Sequence, residues 1–233
     1  MSDTPLAATA RDYANKNKKK IALRYTNKSV YPPEEFPVSV FMAGSPGAGK
    51  TESADALINK LSNDGSVLHI DPDLLRSEFT QYNGTNSSDF QSATAILVDR
   101  IHDIALKQQQ SFVFDGTFSN LNRSIENIER SLKRGREVFI VYVYQDPIQA
   151  WSFVQKRADK DGRNVPKEAF IEQYFAARLN VNAVKRQFKN QVQVDLIVKN
   201  IDGSNELYKE NIDVIDNYVK ENYSERALAN ELL

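Results

Sequence analysis

The residues Gly44-Ser45-Pro46-Gly47-Ala48-Gly49-Lys50-Thr51 match the spacing G-x-x-x-x-G-K-[ST] at every fixed position. Glycines at these positions let successive backbone amides turn inward around a phosphate, and a helix beginning at the lysine adds its positive end. Lys50 then reaches the β- and γ-phosphates, and the Thr51 hydroxyl is placed to hold Mg²⁺. The pattern predicts a site for ATP or GTP, provided a strand precedes it and a helix follows.

Motors and GTPases of this class use water or switch loops. A small-molecule kinase needs a carboxylate near an acceptor hydroxyl and a lid that carries arginines, and candidates for both are present. Asp71 and Asp73 follow the apolar run Val67–Ile70. Asp71 before Pro72 fits a helix N-cap, which leaves Asp73 in the first turn as the better general base, held ionised by the helix dipole. Simple pairing with that dipole is the competing explanation. Asp115 ends Phe112-Val113-Phe114, an apolar run followed by an acid, and can hold Mg²⁺ directly or through water; the alternative is a strand-ending turn at Asp115-Gly116. Thr117, two residues on, can bond a phosphate or the substrate.

Arg157 and Arg163 flank a break between two helices, with Gly162 and Pro166 in the same segment. Guanidinium groups fork onto phosphate oxygens, and a segment near 157–166 that folds over the site would exclude water. Surface arginines without such a role are common, and Arg178 is a third candidate. Asp99 and Asp103 lie off the apolar stripe of their helix, either lining an acceptor pocket or simply solvated. His69 and His102 receive no chemical role, and Trp151 reads as packing.

Positioning these groups requires strands that end at one sheet edge. Apolar or β-rich runs predict five strands: Val38–Ala43, Val67–Ile70, Ser111–Phe114, Val138–Tyr144 and, nearer an edge, Val192–Val198. Helices are expected over about 50–63 (stopping near Asp64-Gly65), from Pro72, over 90–109, 121–134, 147–160 and 167–189, and over 205–221. The alternation predicts an α/β fold, a mostly parallel five-stranded sheet with helices on both faces and functional loops at the strand C-termini. Residues 1–35 read as a partly helical appendage carrying Lys16, Lys18, Lys19, Lys20 and Arg24. Residues 36–202 form the kinase core, and 203–233 a closing helix and polar tail.

The 233 residues are 41% hydrophobic and 26% charged, enough for a sizeable core. A formal charge of −1 argues against a nucleic-acid partner. The absence of cysteine excludes disulfides, a thiol nucleophile and Cys-ligated zinc. No apolar run approaches the roughly 20 residues that span a bilayer, so no membrane association is expected. Met1-Ser2-Asp3-Thr4-Pro5 lacks the basic start and apolar stretch of a secretory signal, so a cytoplasmic location is expected.

Taken together, the loop at 44–51, Ile70-Asp71-Pro72-Asp73 with Arg76, Phe114-Asp115-Gly116-Thr117, and Arg157 with Gly162-Arg163-Asn164-Val165-Pro166 resemble the zeta toxin family of P-loop kinases over roughly 37–200. The resemblance implies transfer of the γ-phosphoryl of ATP to the 3′-hydroxyl of the sugar in UDP-N-acetylglucosamine, and an antitoxin protein as partner. It implies Asp73 as base, Lys50 and Thr51 serving ATP and Mg²⁺, and Arg157 and Arg163 clamping phosphates. Arg76, Asp99, Asp115 and Thr117 are placed with the sugar nucleotide. Asp115 and Asp99 each stand where the family commonly has glutamate, one methylene longer. A kinase of another small molecule, a nucleotide or a nucleic-acid 5′ end, or a non-catalytic nucleotide-binding protein, is the alternative.

Overall fold

The structure, a computed structural model, describes residues 4–62 and 66–232. The expected helix stop at Asp64-Gly65 and the start Met1-Ser2-Asp3 lie outside the described residues. Helix α1 (Pro5–Tyr25) starts on Thr4, whose hydroxyl accepts from the Ala7 amide, with Pro5 at its first position. Strand β1 (Val38–Ala43) leads through the phosphate-loop sequence into α2 (Lys50–Leu61), and β2 (Leu68–Ile70) leads into the one-turn α3 (Pro72–Leu75). Then come α4 (Ser87–Lys107), β3 (Phe112–Phe114), α5 (Leu121–Leu132), β4 (Glu137–Tyr144), α6 (Pro147–Asp161), α7 (Lys167–Phe188) and β5 (Gln193–Lys199). Strand β6 (Asn205–Lys209) and α8 (Glu225–Glu231) close the chain.

The strands lie in the order β2-β3-β1-β4-β5-β6, parallel except for β6, which runs antiparallel to β5. Alternation along the strands divides the core. Val40, Met42, Val113, Val141 and Val143 face α2, whereas Phe41, Leu68, Ile70, Phe112 and Ile140 face the layer that includes α4. The parallel order brings the ends of β1, β2, β3 and β5 to one edge, which is what the site needs.

Three expectations are corrected. The sheet has six strands, because the predicted helix over 205–221 is instead β6 followed by a single 3₁₀ turn at Ile215–Asn217. Asp202-Gly203, with Gly203 at φ +86°, makes a tight hairpin after β5, and Tyr208 of β6 donates its hydroxyl to Asp195 at 2.9 Å. The tail is not merely polar: Leu228 and Leu232 are buried against Val154, Phe170 and Ile171. Nor is the N-terminal segment an appendage. Ala7, Ala10, Ala14, Ile21 and Ala22 are buried, and small side chains at that spacing let α1 lie close along α4.

The end of α1 is tied down as well. Gln110 donates to the carbonyls of Thr26 (3.0 Å) and Tyr31 (2.6 Å). Arg136, buried, donates to Ser39 Oγ and to the Val38 and Gln110 carbonyls at 2.6–2.7 Å. Burial lowers the Arg136 guanidinium to about 10, and this ring of acceptors compensates its desolvation. Ala14 shows no exposed surface, so Ala14→Leu must push α1 off α4. Urea unfolding of that variant is expected to show a loss of about 1–3 kcal/mol with an unchanged m-value; an unchanged midpoint would mean the helix is dispensable.

Candidate functional site

The loop Gly44–Gly49 joins β1 to α2 as its sequence requires. Gly47 sits at φ +73°, and a Cβ there would lie 2.2 Å from the Ala150 carbonyl of α6, so no side chain fits. Lys50 folds back over the loop and donates to the Ser45 carbonyl at 2.7 Å. Desolvation of its ammonium lowers it from 10.5 to about 8; Asp115 opposes the shift, and Arg163 and Arg157 add to it. The next residue, Thr51, donates its hydroxyl to Asp115 Oδ2 at 2.7 Å.

Asp71 caps α3 by accepting from the Asp73 amide at 2.7 Å, as its place before Pro72 predicts. Burial raises its carboxyl above the usual range, and the neighbouring Asp115 carboxylate raises it further. Asp73 is held by three guanidinium groups: Arg76 on Oδ1, and Arg163 together with Arg157 (3.2 Å) on Oδ2. Arg157 lies on α6 and Arg163 just beyond its end, so the expected lid segment is closed onto the tip of β2. Gly162 ends α6 at φ +71°, where a Cβ would meet Thr85 Cγ2 at 3.1 Å, so the lid also rests on the loop before α4. Arg178 takes no part in it: buried in α7, it binds Asp216 (2.9 Å) and the Val219 carbonyl, anchoring the C-terminal segment.

At the end of β3, between β2 and β1, the Thr117 carbonyl accepts from the Gly44 amide at 3.3 Å. Thr117 lines a cavity of about 160 Å³ with Phe114, Phe118, Asn120, Arg123 and Asn127. A larger, more polar one of about 550 Å³ adjoins it between α4 and α5, sharing Asn120, Arg123 and Asn127 and reaching Asp99, Asp103 and Arg130. Asp99 is half-exposed and paired with Arg123, and Asp103 with Arg130. The acceptor-side candidates Thr117 and Asp99 therefore border adjoining cavities beside the phosphate loop, and Arg76 stays with Asp73.

Several contributors have no local signature in the sequence. Asn180 of α7, largely buried, donates to the carbonyls of Phe118 (3.0 Å) and Ser119 (2.8 Å), holding the Thr117 loop in shape. Arg123 and Asn127 are visible only once α5 lies against α4. His102 is structural: it is fully buried among Phe41, Phe112 and Phe114, and burial pushes it well below the ordinary histidine value. His69, given no role from the sequence, lies beside the carboxylates at the ends of β2 and β3. Its Nε2 lies 3.9 Å from Asp115 Oδ2, and His69, Asp71 and Asp115 offer atoms within 4.8 Å of one another. That nitrogen is buried and has no hydrogen-bond partner, beside two buried carboxylates and the Thr51 hydroxyl, so the donor set fits a divalent cation.

The architecture and its loop define a P-loop, kinase-like α/β protein. Residues 22–213 match the family model described as zeta toxin, and the chain belongs to that family. Among solved structures it is similar to the one described for the PezAT chromosomal toxin–antitoxin system of Streptococcus pneumoniae (TM-score 0.58, 13% identity, covering 100% of this chain and 89% of that one). It is also similar to the AvrRxo1-ORF1:AvrRxo1-ORF2 complex with sulphate ions (TM-score 0.67, 17% identity, 98% and 74%) and to the same complex with ATP (TM-score 0.65, 18% identity, 89% and 67%). At these identities the likeness is one of fold. No curated protein matches. Among the described residues no helix is long and apolar enough to cross a membrane.

The lowered Lys50 ammonium carries a test. A bound triphosphate restores the lysine's charge, so binding takes up a proton wherever the free group is neutral, and takes up none well below its value of about 8. Calorimetry in buffers of different ionisation enthalpy is expected to show wild type taking up about half a proton more than Lys50→Met near pH 8, and the two agreeing near pH 6.

Proposed function

We propose that the chain is a phosphotransferase that moves the γ-phosphoryl group of ATP (or GTP) to a hydroxyl of a sugar nucleotide, with UDP-N-acetylglucosamine as the first acceptor to test. One arrangement carries this reading: the Asp73 carboxylate, at the tip of β2, is gripped by the lid arginines Arg157 and Arg163 beside the phosphate loop.

In the ligand-free protein both arginines are paired with the Asp73 carboxylate. A triphosphate in the loop offers them several negative oxygens in place of one carboxylate, so they turn to the phosphates and leave Asp73 Oδ2 open. Arg76, on Oδ1, keeps the carboxylate oriented. Asp73 then accepts the proton of the acceptor hydroxyl as that oxygen attacks the γ-phosphorus in line. The bond from the γ-phosphorus to the β–γ bridging oxygen breaks and ADP leaves. Lys50 and the two lid arginines hold the charge that spreads over the transferring group. Thr51 and Asp115 would hold Mg²⁺, which would supply charge neutralisation to the triphosphate.

The acceptor occupies the two adjoining cavities, with its hydroxyl end toward Thr117 and its polar remainder along Asp99. A nucleotide-containing acceptor suits walls that combine Phe114 and Phe118 with Asn120, Asn127 and Arg123. The likeness to the structure described for a toxin–antitoxin system supports an antitoxin protein as partner, one that covers the nucleotide site.

Incubation with labelled ATP, Mg²⁺ and a metabolite panel that includes UDP-N-acetylglucosamine is expected to label a sugar nucleotide. Asp73→Asn should lower the rate at least about 10²-fold while ATP affinity changes only a few-fold. Equal labelling by this variant would remove Asp73 as base, and failure of every sugar nucleotide would remove the acceptor.

A further inference from the structure

We propose that the metal site of this chain contains a nitrogen donor, the His69 imidazole, and therefore takes a divalent transition ion such as Mn²⁺ in preference to Mg²⁺. The inference rests on the reading of Thr51 and Asp115 as the metal-holding pair and goes beyond it by adding a ligand and a metal preference.

Strand alternation turns His69 away from Leu68 and Ile70 and toward the α2 side of the sheet, where Thr51 and Asp115 also lie. Its two ring nitrogens have different surroundings. Nδ1 faces Asp55 Oδ1 of α2 at 3.4 Å, whereas Nε2 is buried without a partner, 3.9 Å from Asp115 Oδ2, and the imidazole offers a nitrogen within 4.8 Å of an Asp71 carboxylate oxygen. A carboxylate on one nitrogen and a vacant, inward-facing second nitrogen is the arrangement that orients a metal-binding histidine. Asp71 and Asp115 are both buried, and each offers a carboxylate oxygen within 4.8 Å of the other and of a His69 nitrogen, room for one cation between them.

Mg²⁺ favours oxygen ligands in a near-ideal octahedron and gives up water reluctantly. An imidazole in the set shifts preference toward ions that bind nitrogen well. Asp55 is a positioning residue, exposed on α2, and its carboxylate acts on the ion only through His69.

The test uses the full chain without nucleotide and Mn²⁺ as the probe, read by electron paramagnetic resonance for affinity and by electron spin echo modulation for coupled ¹⁴N. Wild type is expected to show imidazole nitrogen coupling and to bind Mn²⁺ more tightly than Mg²⁺ in competition. His69→Ala should lose the coupling and weaken Mn²⁺ by about 10–100-fold, with Mg²⁺ changed far less. Asp55→Asn, an exposed change that spares the fold, should keep the coupling and weaken Mn²⁺ by a smaller factor.

Bound Mn²⁺ without nitrogen coupling in wild type, coupling that survives in His69→Ala, an unchanged Mn²⁺-to-Mg²⁺ ratio in that variant, or no Mn²⁺ binding would each overturn the proposal. None of these readouts depends on phosphoryl transfer. Labelling of an acceptor with Mg²⁺ alongside a missing nitrogen signal would sink this inference and leave the kinase reading standing, and the converse pair of results would do the reverse.

Discussion

One carboxylate holds three guanidinium groups, and the working end of the molecule is organised around that contact. Asp73 reaches Arg76 from the turn after its own helix, and Arg157 and Arg163 from residues 84 and 90 positions away. The lid is thereby drawn down on the tip of β2. Three guanidinium groups share the two oxygens of one carboxylate, and a polyanionic ligand offers them more. In the proposed reaction, phosphate oxygens take the place of this carboxylate as the partner of Arg157 and Arg163.

The same imbalance runs through the rest of the edge. Lys50 is desolvated and has a backbone carbonyl as its hydrogen-bond partner, while Asp71 and Asp115 crowd each other on the far side of Thr51. Cations therefore gather at the lid and phosphate loop, and carboxylates gather where β2 and β3 end side by side. A nucleotide with its metal ion is complementary to both halves at once. The stability that such groups cost has to come from elsewhere, and the doubly covered sheet supplies it through Phe112, Ile140, Leu196 and their neighbours, all fully buried.

Much of this was legible from residue order. The phosphate loop, the Asp71-Pro72 cap, the run ending in Asp115 and the five parallel strands are contiguous patterns whose local geometry follows from residue type. The first helix was harder, because its many lysines and asparagines hide a stripe at positions 7, 10, 14 and 21 that only makes sense against α4. The hairpin at Asp202-Gly203 did leave a signal in that dipeptide, which the helix-forming residues after it outweighed. Arg178 had the residue type of a lid arginine, but its place on the inner face of α7 gave it to Asp216 and the C-terminal segment instead.

By itself, then, the order of amino acids determined the phosphate cradle, the helix cap that turns Asp73 outward and the alternation that calls for a parallel sheet. These depend on backbone conformations set within a few residues. Tertiary structure alone decided that β3 lies beside β2, bringing His69 to Asp115, that α5 lies where Arg123 meets Asp99, and that the lid closes on Asp73. Each of those contacts joins segments far apart in the chain, and strand order and helix packing, which no short stretch encodes, choose which distant charges become neighbours.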